Sequence, residues 1–288
     1  MKTGLVLEGG AMKGMYTAGV LDVFMDEGIT FDGIIGVSAG AIFGVNYLSG
    51  QKGRAIRYNK RFNGDKDYMG FRTMLKTGNI INTEYAYERV PRDLDPFDNE
   101  TYTNSEVPFY AVTTDIKTGK PVYHQITDVF AQMDVIRASG SMPFVSKPVT
   151  LSVRDEMTGE ETISQHLDGA ITDSIPFEKF AKMGYEKQVV VLTKDITYVK
   201  GAIPAWMAKL RYRKYPEFAK RIMERHIMYN GTIERLKQKE KEGKVIVIRP
   251  SQPITISKIE SDPAKLQAVY DLGIMDARTI LGRVKEFL

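Results

Sequence analysis

Ser38 lies between two glycines in the segment FDGIIGVSAGAIFGVNYL, residues 31–48. The apolar run before the serine predicts a strand, and the apolar run after it predicts a helix. A serine hydroxyl is a weak nucleophile unless it stands clear of the backbone beside a base. A sharp strand-to-helix turn provides that position, but it requires small residues two places before and after the serine. Gly36 and Gly40 meet this requirement, so the pattern favours a nucleophilic serine over a purely structural turn.

The histidines offer few candidates for a base, since the chain has only three. His226 lies in a basic helical segment and His124 lies in a predicted strand, so both are interpreted as structural. His166 comes two residues before Asp168, and the two-residue period of a strand puts both on one face. A pairing of Ser38 with His166 therefore stays open as an alternative.

Asp168 is the preferred base, at the end of the strand-like segment ETISQHLD, residues 161–168. Gly169 and Ala170 follow it and leave the space above the carboxyl uncrowded. An aspartate that ends a strand of a parallel sheet faces the edge where α/β sites gather. A carboxylate is a weak base in water, but contact with Ser38 in a partly dry pocket would strengthen it. A turn aspartate before glycine is the structural alternative.

Donors for an oxyanion are predicted in the segment LEGGAMKG, residues 7–14. Gly9 and Gly10 permit close approach of the backbone, and the next N–H groups begin a helix, where they have no intrahelical acceptor. A nucleotide-phosphate loop is the alternative for such a run, but the G-K-[ST] signature is missing. A dinucleotide site also expects an acidic residue after the next strand, where this chain has Ser38.

Short apolar runs alternate with helical periodicity along the chain, which predicts a mainly parallel sheet with helices on both faces. Residues 50–106 fit this alternation poorly, and a cap over one end of the sheet is predicted there. The predicted strands are 3–9, 31–37, 107–114, 121–125, 161–168, 188–193 and 244–250. The predicted helices are 12–28, 39–50, 127–139, much of 204–242, and 262–287.

Composition restricts the classes of function. The chain has 288 residues and no cysteine, which excludes disulfides and thiolate chemistry. A net charge of +4 is too weak to indicate nucleic-acid binding, although residues 194–244 hold 14 Lys and Arg against 6 Asp and Glu. Glu8 interrupts the first apolar run too early for a signal peptide, and no run approaches the roughly 20 apolar residues of a membrane span. The expected location is the cytoplasm.

The motifs in combination resemble those of the bacterial patatin-like phospholipases. Three signals occur in that family's order: GGAMKG (9–14), GVSAG (36–40) and DGA (168–170). A fourth segment, RASGSMPFVSKPV, is similar to the family's Ala-Ser segment with spaced prolines, through Ala138, Ser139, Pro143 and Pro148. The resemblance covers about residues 3–195.

The resemblance implies a three-layer α/β fold and a Ser–Asp dyad without histidine, with Ser38 as nucleophile and Asp168 as base. It implies an oxyanion hole of backbone N–H groups at Gly9, Gly10 and Ala11. Ala11 replaces a usual glycine, and an alanine is costly there if the position requires a positive φ. The same resemblance implies no metal or organic cofactor. Further residues that match the motifs are Lys13, Gly14, Gly36, Gly40 and Gly169.

The sequence thus predicts one patatin-like domain over residues 1–288, with a core of about 3–195 and a basic, helix-rich part of about 196–288. The predicted function is hydrolysis of a phospholipid, a lysophospholipid or another acyl ester through an acyl-enzyme. The alternatives are a lipid-binding or scaffold protein without useful turnover, and an acyltransferase. Residues 206–221 are basic and aromatic. They either make a peripheral contact with an anionic membrane surface or form a solvated helical face whose apolar side packs on the core.

Overall fold

The computed structural model describes residues 1–154 and 159–288. The strands of these residues form one sheet in the order β5-β6-β3-β2-β1-β7-β8, and β4 also pairs with β3. Neighbours among β1, β2, β3, β7 and β8 are parallel, whereas β4, β5 and β6 pair antiparallel. The strands are β1 (Thr3–Leu7), β2 (Gly33–Val37), β3 (Phe109–Asp115), β4 (Lys120–Ile126), β5 (Val149–Arg154), β6 (Glu161–Asp168), β7 (Lys187–Val191) and β8 (Val245–Ile248).

Helices cover both faces of the sheet, which confirms the predicted three-layer α/β class. They are α1 (Met15–Asp26), α2 (Ala39–Leu48), α3 (Arg54–Phe62), α4 (Phe71–Thr77), α5 (Asn99–Thr103), α6 (Met133–Ser139), α7 (Phe177–Lys182), α8 (Ala205–Arg211), α9 (Pro216–Lys241) and α10 (Pro263–Phe287). A π-helix spans Tyr85–Leu94, and 3-10 turns span Ala11–Gly14 and Gly169–Ile171.

Alternate residues of the central strands enter two separate apolar layers. Leu5 and Leu7 pack in the layer that includes α1, α2 and α10, whereas Val6 packs in the layer that includes α7 and α9. Strands that are buried on both faces have continuous apolar sequences. For this reason the sequence predicted the central strands well.

Two predicted elements differ from the structure. The predicted helix over 204–242 is two helices, α8 and α9, because Pro216 begins a new helix and holds Tyr215 in an extended conformation with φ −131° and ψ 70°. The predicted helix over 127–139 begins only at Met133. Strand β5 was not predicted, although VTLSVR alternates apolar and polar residues as a half-exposed strand does.

Strand β6 reaches the sheet edge from an unexpected direction. The sequence suggested a parallel strand ending in Asp168, but β6 runs antiparallel to β3. Val37 at the end of β2 pairs with Val112 of β3, and Asp168 pairs with the next residue, Thr113. Because β4 occupies the other edge of β3, β2 and β6 lie end to end along the same edge. Their carboxyl ends therefore meet, and Ser38 comes to lie beside Asp168.

Residues 50–106 contain α3, α4, the π-helix and α5, and Ile80 from this segment lines the cavity described below. Its role as a cap stays a prediction, as do the domain limits at about 195 and 196. Among the helices of the described residues, none is long and apolar enough to cross a bilayer.

Helices α1 and α10 meet backbone to backbone, which glycines permit. A Cβ on Gly273 would lie closer than 3.0 Å to the carbonyl oxygen of Tyr16, and one on Gly19 would meet the carbonyl oxygen of Tyr270. The Tyr270 hydroxyl also donates a hydrogen bond to Asp22 of α1 at 2.5 Å. Helix α10 therefore fixes α1, which continues directly from the glycine-rich turn.

We expect Gly273→Ala to lower the free energy of unfolding by about 1–3 kcal/mol, because the opposing backbone cannot yield to a new methyl group. Gly282→Ala in the same helix is the matched control. A Cβ at Gly282 meets nothing within 4 Å, and the better helix propensity of alanine should raise stability by about 1 kcal/mol. Urea unfolding followed by far-UV circular dichroism compares the two variants. Equal stabilities would contradict the close helix contact.

Candidate active site

Ser38 occupies a strained turn between β2 and α2. Its φ of 55° and ψ of −121° lie where residues with a Cβ are rare. A Cβ on Gly36 would lie 2.5 Å from the carbonyl oxygen of Gly40, so the turn requires glycine there, as the sequence indicated. The Ser38 N–H donates to Ser139 Oγ at 2.9 Å, and the Ser139 hydroxyl donates to the Val112 carbonyl at 2.7 Å. These contacts join the turn to β3 through α6.

Asp168 contacts the serine directly. Ser38 Oγ donates a hydrogen bond to Asp168 Oδ2 at 2.8 Å, and each residue is only 5% exposed. The other carboxylate oxygen accepts the Ala170 N–H at 2.9 Å. A Cβ on Gly169 would overlap the carbonyl of Val112, so only glycine lets the chain turn here beside β3. The carboxylate is thereby held with one oxygen directed at the serine.

The surroundings make this carboxylate a better base than one in water. Burial raises the pKa of Asp168 above its ordinary value of 3.8, against the opposing effects of the Arg225 charge and of hydrogen bonds from Ala170 and Ser38. Arg225 itself is held nearby, since its Nε donates to the Ala170 carbonyl at 2.6 Å. A base with a raised pKa takes a proton more readily.

The glycine-rich turn lies against the serine. A Cβ on Gly9 would be 2.8 Å from Ser38 Cβ, and one on Gly10 would be 2.5 Å from Thr193 Oγ1. The N–H groups of Gly9, Gly10 and Ala11 donate to no acceptor among residues 1–154 and 159–288. Ala11 does adopt a positive φ, 49°. Three unpaired amide donors thus lie at the edge of the cavity that contains Ser38.

The remaining motif residues support this arrangement. A Cβ on Gly14 would lie 2.7 Å from that of Ala39, so the glycine lets the 3-10 turn pack on the start of α2. A Cβ on Gly40 would overlap the Leu7 carbonyl of β1. Lys13 donates from Nζ to the carbonyl of Ile254, which joins the glycine-rich turn to the segment before α10.

A cavity of about 600 Å³ opens over Ser38 and Asp168. One wall is apolar and comes mainly from the segment after α6 and from α8 and α9. Another wall carries cationic side chains. The volume suits a small organic ligand. The apolar wall includes Met142, Phe144, Ile203, Met207 and Ile222, and the cationic wall includes Lys13, Lys194, Lys200, Arg225 and Lys258.

Backbone strain gathers at this cavity. Within the described residues, the non-glycine residues with positive φ are Ala11, Ser38 and Phe144, and all of them line the cavity. Such conformations cost about 1–3 kcal/mol each and cluster at functional sites. Phe144, with φ 73°, is fixed by its N–H, which donates to the Tyr212 hydroxyl at 2.9 Å.

The histidines lie outside the cavity. Thr113 Oγ1 is 2.8 Å from His124 Nε2 and 2.9 Å from His166 Nδ1, and the second ring nitrogen of His166 contacts Ser164. Burial lowers the pKa of both, that of His124 to about 4, so both are neutral near pH 7. The alternative pairing of His166 with the serine is not formed. In the described part of the chain, no group of three or more His, Asp or Glu residues could hold a metal ion.

Several site residues were not predicted. Ser139 was noted only as a motif residue, and its contact with the Ser38 N–H was not predicted. The motifs do not indicate Arg225, Lys194 or Lys200, because these residues belong to none of them. The signal that could have found them is the excess of Lys and Arg over residues 194–244.

The chain is similar in sequence to known proteins. The family model described as patatin-like phospholipase matches residues 5–181, and a domain of unknown function, DUF6363, matches residues 215–288. The chain is 26% identical over 295 aligned positions to the uncharacterized protein YjjU of Escherichia coli K12, covering 99% of this chain and 78% of YjjU. The crystal structure of VipD from Legionella pneumophila aligns with a TM-score of 0.46 at 12% identity, over 98% of this chain and 67% of VipD. Because the first family model spans more than half of the sequence, the chain belongs to the patatin-like phospholipase family.

Proposed function

We propose that this protein is a lipid acyl hydrolase in which Ser38 is the nucleophile and Asp168 the base. The observation that carries the proposal is the 2.8 Å hydrogen bond from Ser38 Oγ to Asp168 Oδ2, inside a cavity edged by unpaired amide donors. Family membership supports a lipid ester as substrate.

The first step is acyl transfer to the serine. Asp168 takes the hydroxyl proton as Ser38 Oγ attacks the ester carbonyl. The N–H groups at Gly9, Gly10 and Ala11 stabilise the negative charge that develops on the carbonyl oxygen. The alcohol or lysolipid then leaves with the proton from Asp168, and an acyl-serine remains.

The second step is hydrolysis of the acyl-serine. A water molecule gives a proton to Asp168 and attacks the acyl carbonyl, and the same amides again hold the oxyanion. The proton returns to Ser38 Oγ as the fatty acid leaves, so one carboxylate serves both steps. The buried carboxylate needs no histidine between it and the serine, because the two side chains are already in contact.

We expect Ser38→Ala and Asp168→Asn each to lower kcat for a medium-chain p-nitrophenyl ester by about 1,000-fold or more, since the dyad acts as a unit. Asp173→Asn is the matched control. Its half-buried carboxylate accepts a hydrogen bond from the Tyr123 hydroxyl at 2.7 Å and does not line the cavity, so turnover should persist.

Labelling separates catalysis from mere binding. A fluorophosphonate should add one adduct to the wild-type protein, detected by intact mass and assigned to Ser38 by peptide mapping, and no adduct to Ser38→Ala. Full activity in either dyad variant would refute the assignment. Lipid binding without labelling would indicate a binding protein, and transfer to an added alcohol in preference to water would indicate an acyltransferase.

The acid side of the pH profile tests the base. Asp168 must be ionised to accept a proton, and burial raises its pKa, so kcat/KM should fall as the pH decreases, with a midpoint above 3.8. Burial also raises the pKa of Asp173, to about 6. The Asp173→Asn variant should retain this fall in kcat/KM at low pH. Loss of the fall in that variant would show that it reports the ionisation of Asp173 and not of Asp168.

We also propose that α8 contacts a lipid surface. Trp206 and Leu210 are one helical turn apart and each 66% exposed, while Ala208 and Tyr212 hold the helix on the core. Met207, which lies between Trp206 and Leu210 in the sequence, lines both the exposed groove along α8 and the cavity over the serine. An apolar surface flanked by cations suits the boundary of an anionic membrane.

Vesicle binding tests this contact. Trp206 is the only tryptophan of the chain, so its fluorescence should shift to shorter wavelength when anionic vesicles are added. Leu210→Ser should weaken co-sedimentation with those vesicles several-fold. Met275→Ser, at a residue of α10 that is 53% exposed, should leave it unchanged. An unshifted emission maximum at saturating vesicles would disprove the contact.

A further inference from the structure

Five cationic side chains line the cavity over Ser38 and come from separate parts of the chain. They belong to the 3-10 turn after β1, the segment after β7, helix α9 and the segment before α10. We call them the cation cluster: Lys13, Lys194, Lys200, Arg225 and Lys258. Four of the five are half-buried, and Lys258 is exposed at the rim.

The carboxylates that line the cavity make hydrogen bonds to other groups and no ion pair with this cluster. Only Glu8 and Asp168 are acidic among the residues that line the cavity. Glu8 accepts from the Tyr229 hydroxyl at 2.7 Å and from the Thr193 N–H at 2.6 Å, and it forms no ion pair with the cluster. None of the five cations forms an ion pair with any carboxylate of the described residues.

The cations are close enough to repel one another. Burial and the neighbouring charges of Arg225, Lys194 and Lys258 together lower the pKa of Lys200 to about 7, against the opposing charge of Glu8. Burial and the neighbouring Lys13 and Lys258 lower the pKa of Lys194 to about 8 in the same way, again against Glu8. Crowded, partly dry ammonium groups are costly without a counter-ion. An anion between them would offset both desolvation and repulsion.

We propose that the cation cluster is a subsite for the phosphate of an anionic lipid headgroup. The inference rests on the proposed function and specifies its substrate class. A scissile ester at Ser38 would lie between two chemically different walls, with the acyl chain against Phe144, Ile203 and Met207 and the phosphate against the cluster. Phosphate suits such a site because several donors can share its oxygens through charge-assisted hydrogen bonds.

Two substrates that differ only in the phosphate test the subsite. The wild-type protein should show a kcat/KM at least about tenfold higher for 1-acyl-glycerol-3-phosphate than for the monoacylglycerol with the same chain. Lys200→Met removes the ammonium charge and keeps an apolar side chain of similar length. It should reduce the ratio of the two kcat/KM values by about tenfold, mainly through KM. Lys258→Met, at the exposed rim, gives a second variant with little risk to folding. Lys182→Met, at an exposed lysine of α7 outside the cavity, should keep the ratio.

Binding measurements keep this proposal separate from the proposed function. Calorimetric titration of the Ser38→Ala protein should show tighter binding of the phosphate lipid than of the monoacylglycerol, even if neither is ever hydrolysed. Inorganic phosphate should compete with that binding and should compete less well in the Lys258→Met background. Equal affinity for the two lipids would overturn the headgroup assignment. Binding of inorganic phosphate without preference between the lipids would overturn it too, and would indicate a site for free phosphate.

Discussion

The pairing of two strands with one edge of β3 is the constraint on which the site depends. Strand β2 ends opposite Val112 and β6 ends opposite Thr113, so their last residues are one strand position apart. A slip of one residue would move Asp168 by about 3.3 Å and turn its side chain to the other face of the sheet. The carbonyl of Val112 is a shared reference point, since Ser139 donates to it and Gly169 packs on it without a Cβ.

The strained backbone and the buried carboxylate at the junction of β2 and β6 together place the groups of the candidate site. Ser38 and Ala11 adopt left-handed conformations, and a carboxylate is kept out of water, all of which is unfavourable in isolation. The surrounding elements hold these groups in position through the Ser139 contact, the close glycine packing and the α1–α10 contact. The result is a hydroxyl in contact with a carboxylate whose pKa is raised, beside amide donors that have no acceptor among the described residues.

The C-terminal part of the chain completes the cavity. Helix α9 contributes Arg225, which contacts the Ala170 carbonyl, and Tyr229, which contacts Glu8 behind the glycine-rich turn. The patatin-like model ends at residue 181, before these side chains, and DUF6363 begins at residue 215. In our proposals the first region supplies the acyl chemistry, and the residues after it supply four of the five cations that select among lipids: Lys194, Lys200, Arg225 and Lys258.

The sequence by itself determined the local features. The glycines around Ser38, the Asp-Gly pair at Asp168 and the apolar strands follow from steric and burial rules that act within a few residues. Only the tertiary structure decided four further features. These are the direction of β6, the presence of strand β5, the hydrogen bond between the Ser38 N–H and Ser139, and the meeting of Lys13 and Arg225 at one cavity. Strand pairing and the contacts of distant side chains depend on long-range packing. Many alternative pairings compete there, and no short sequence pattern shows which of them forms.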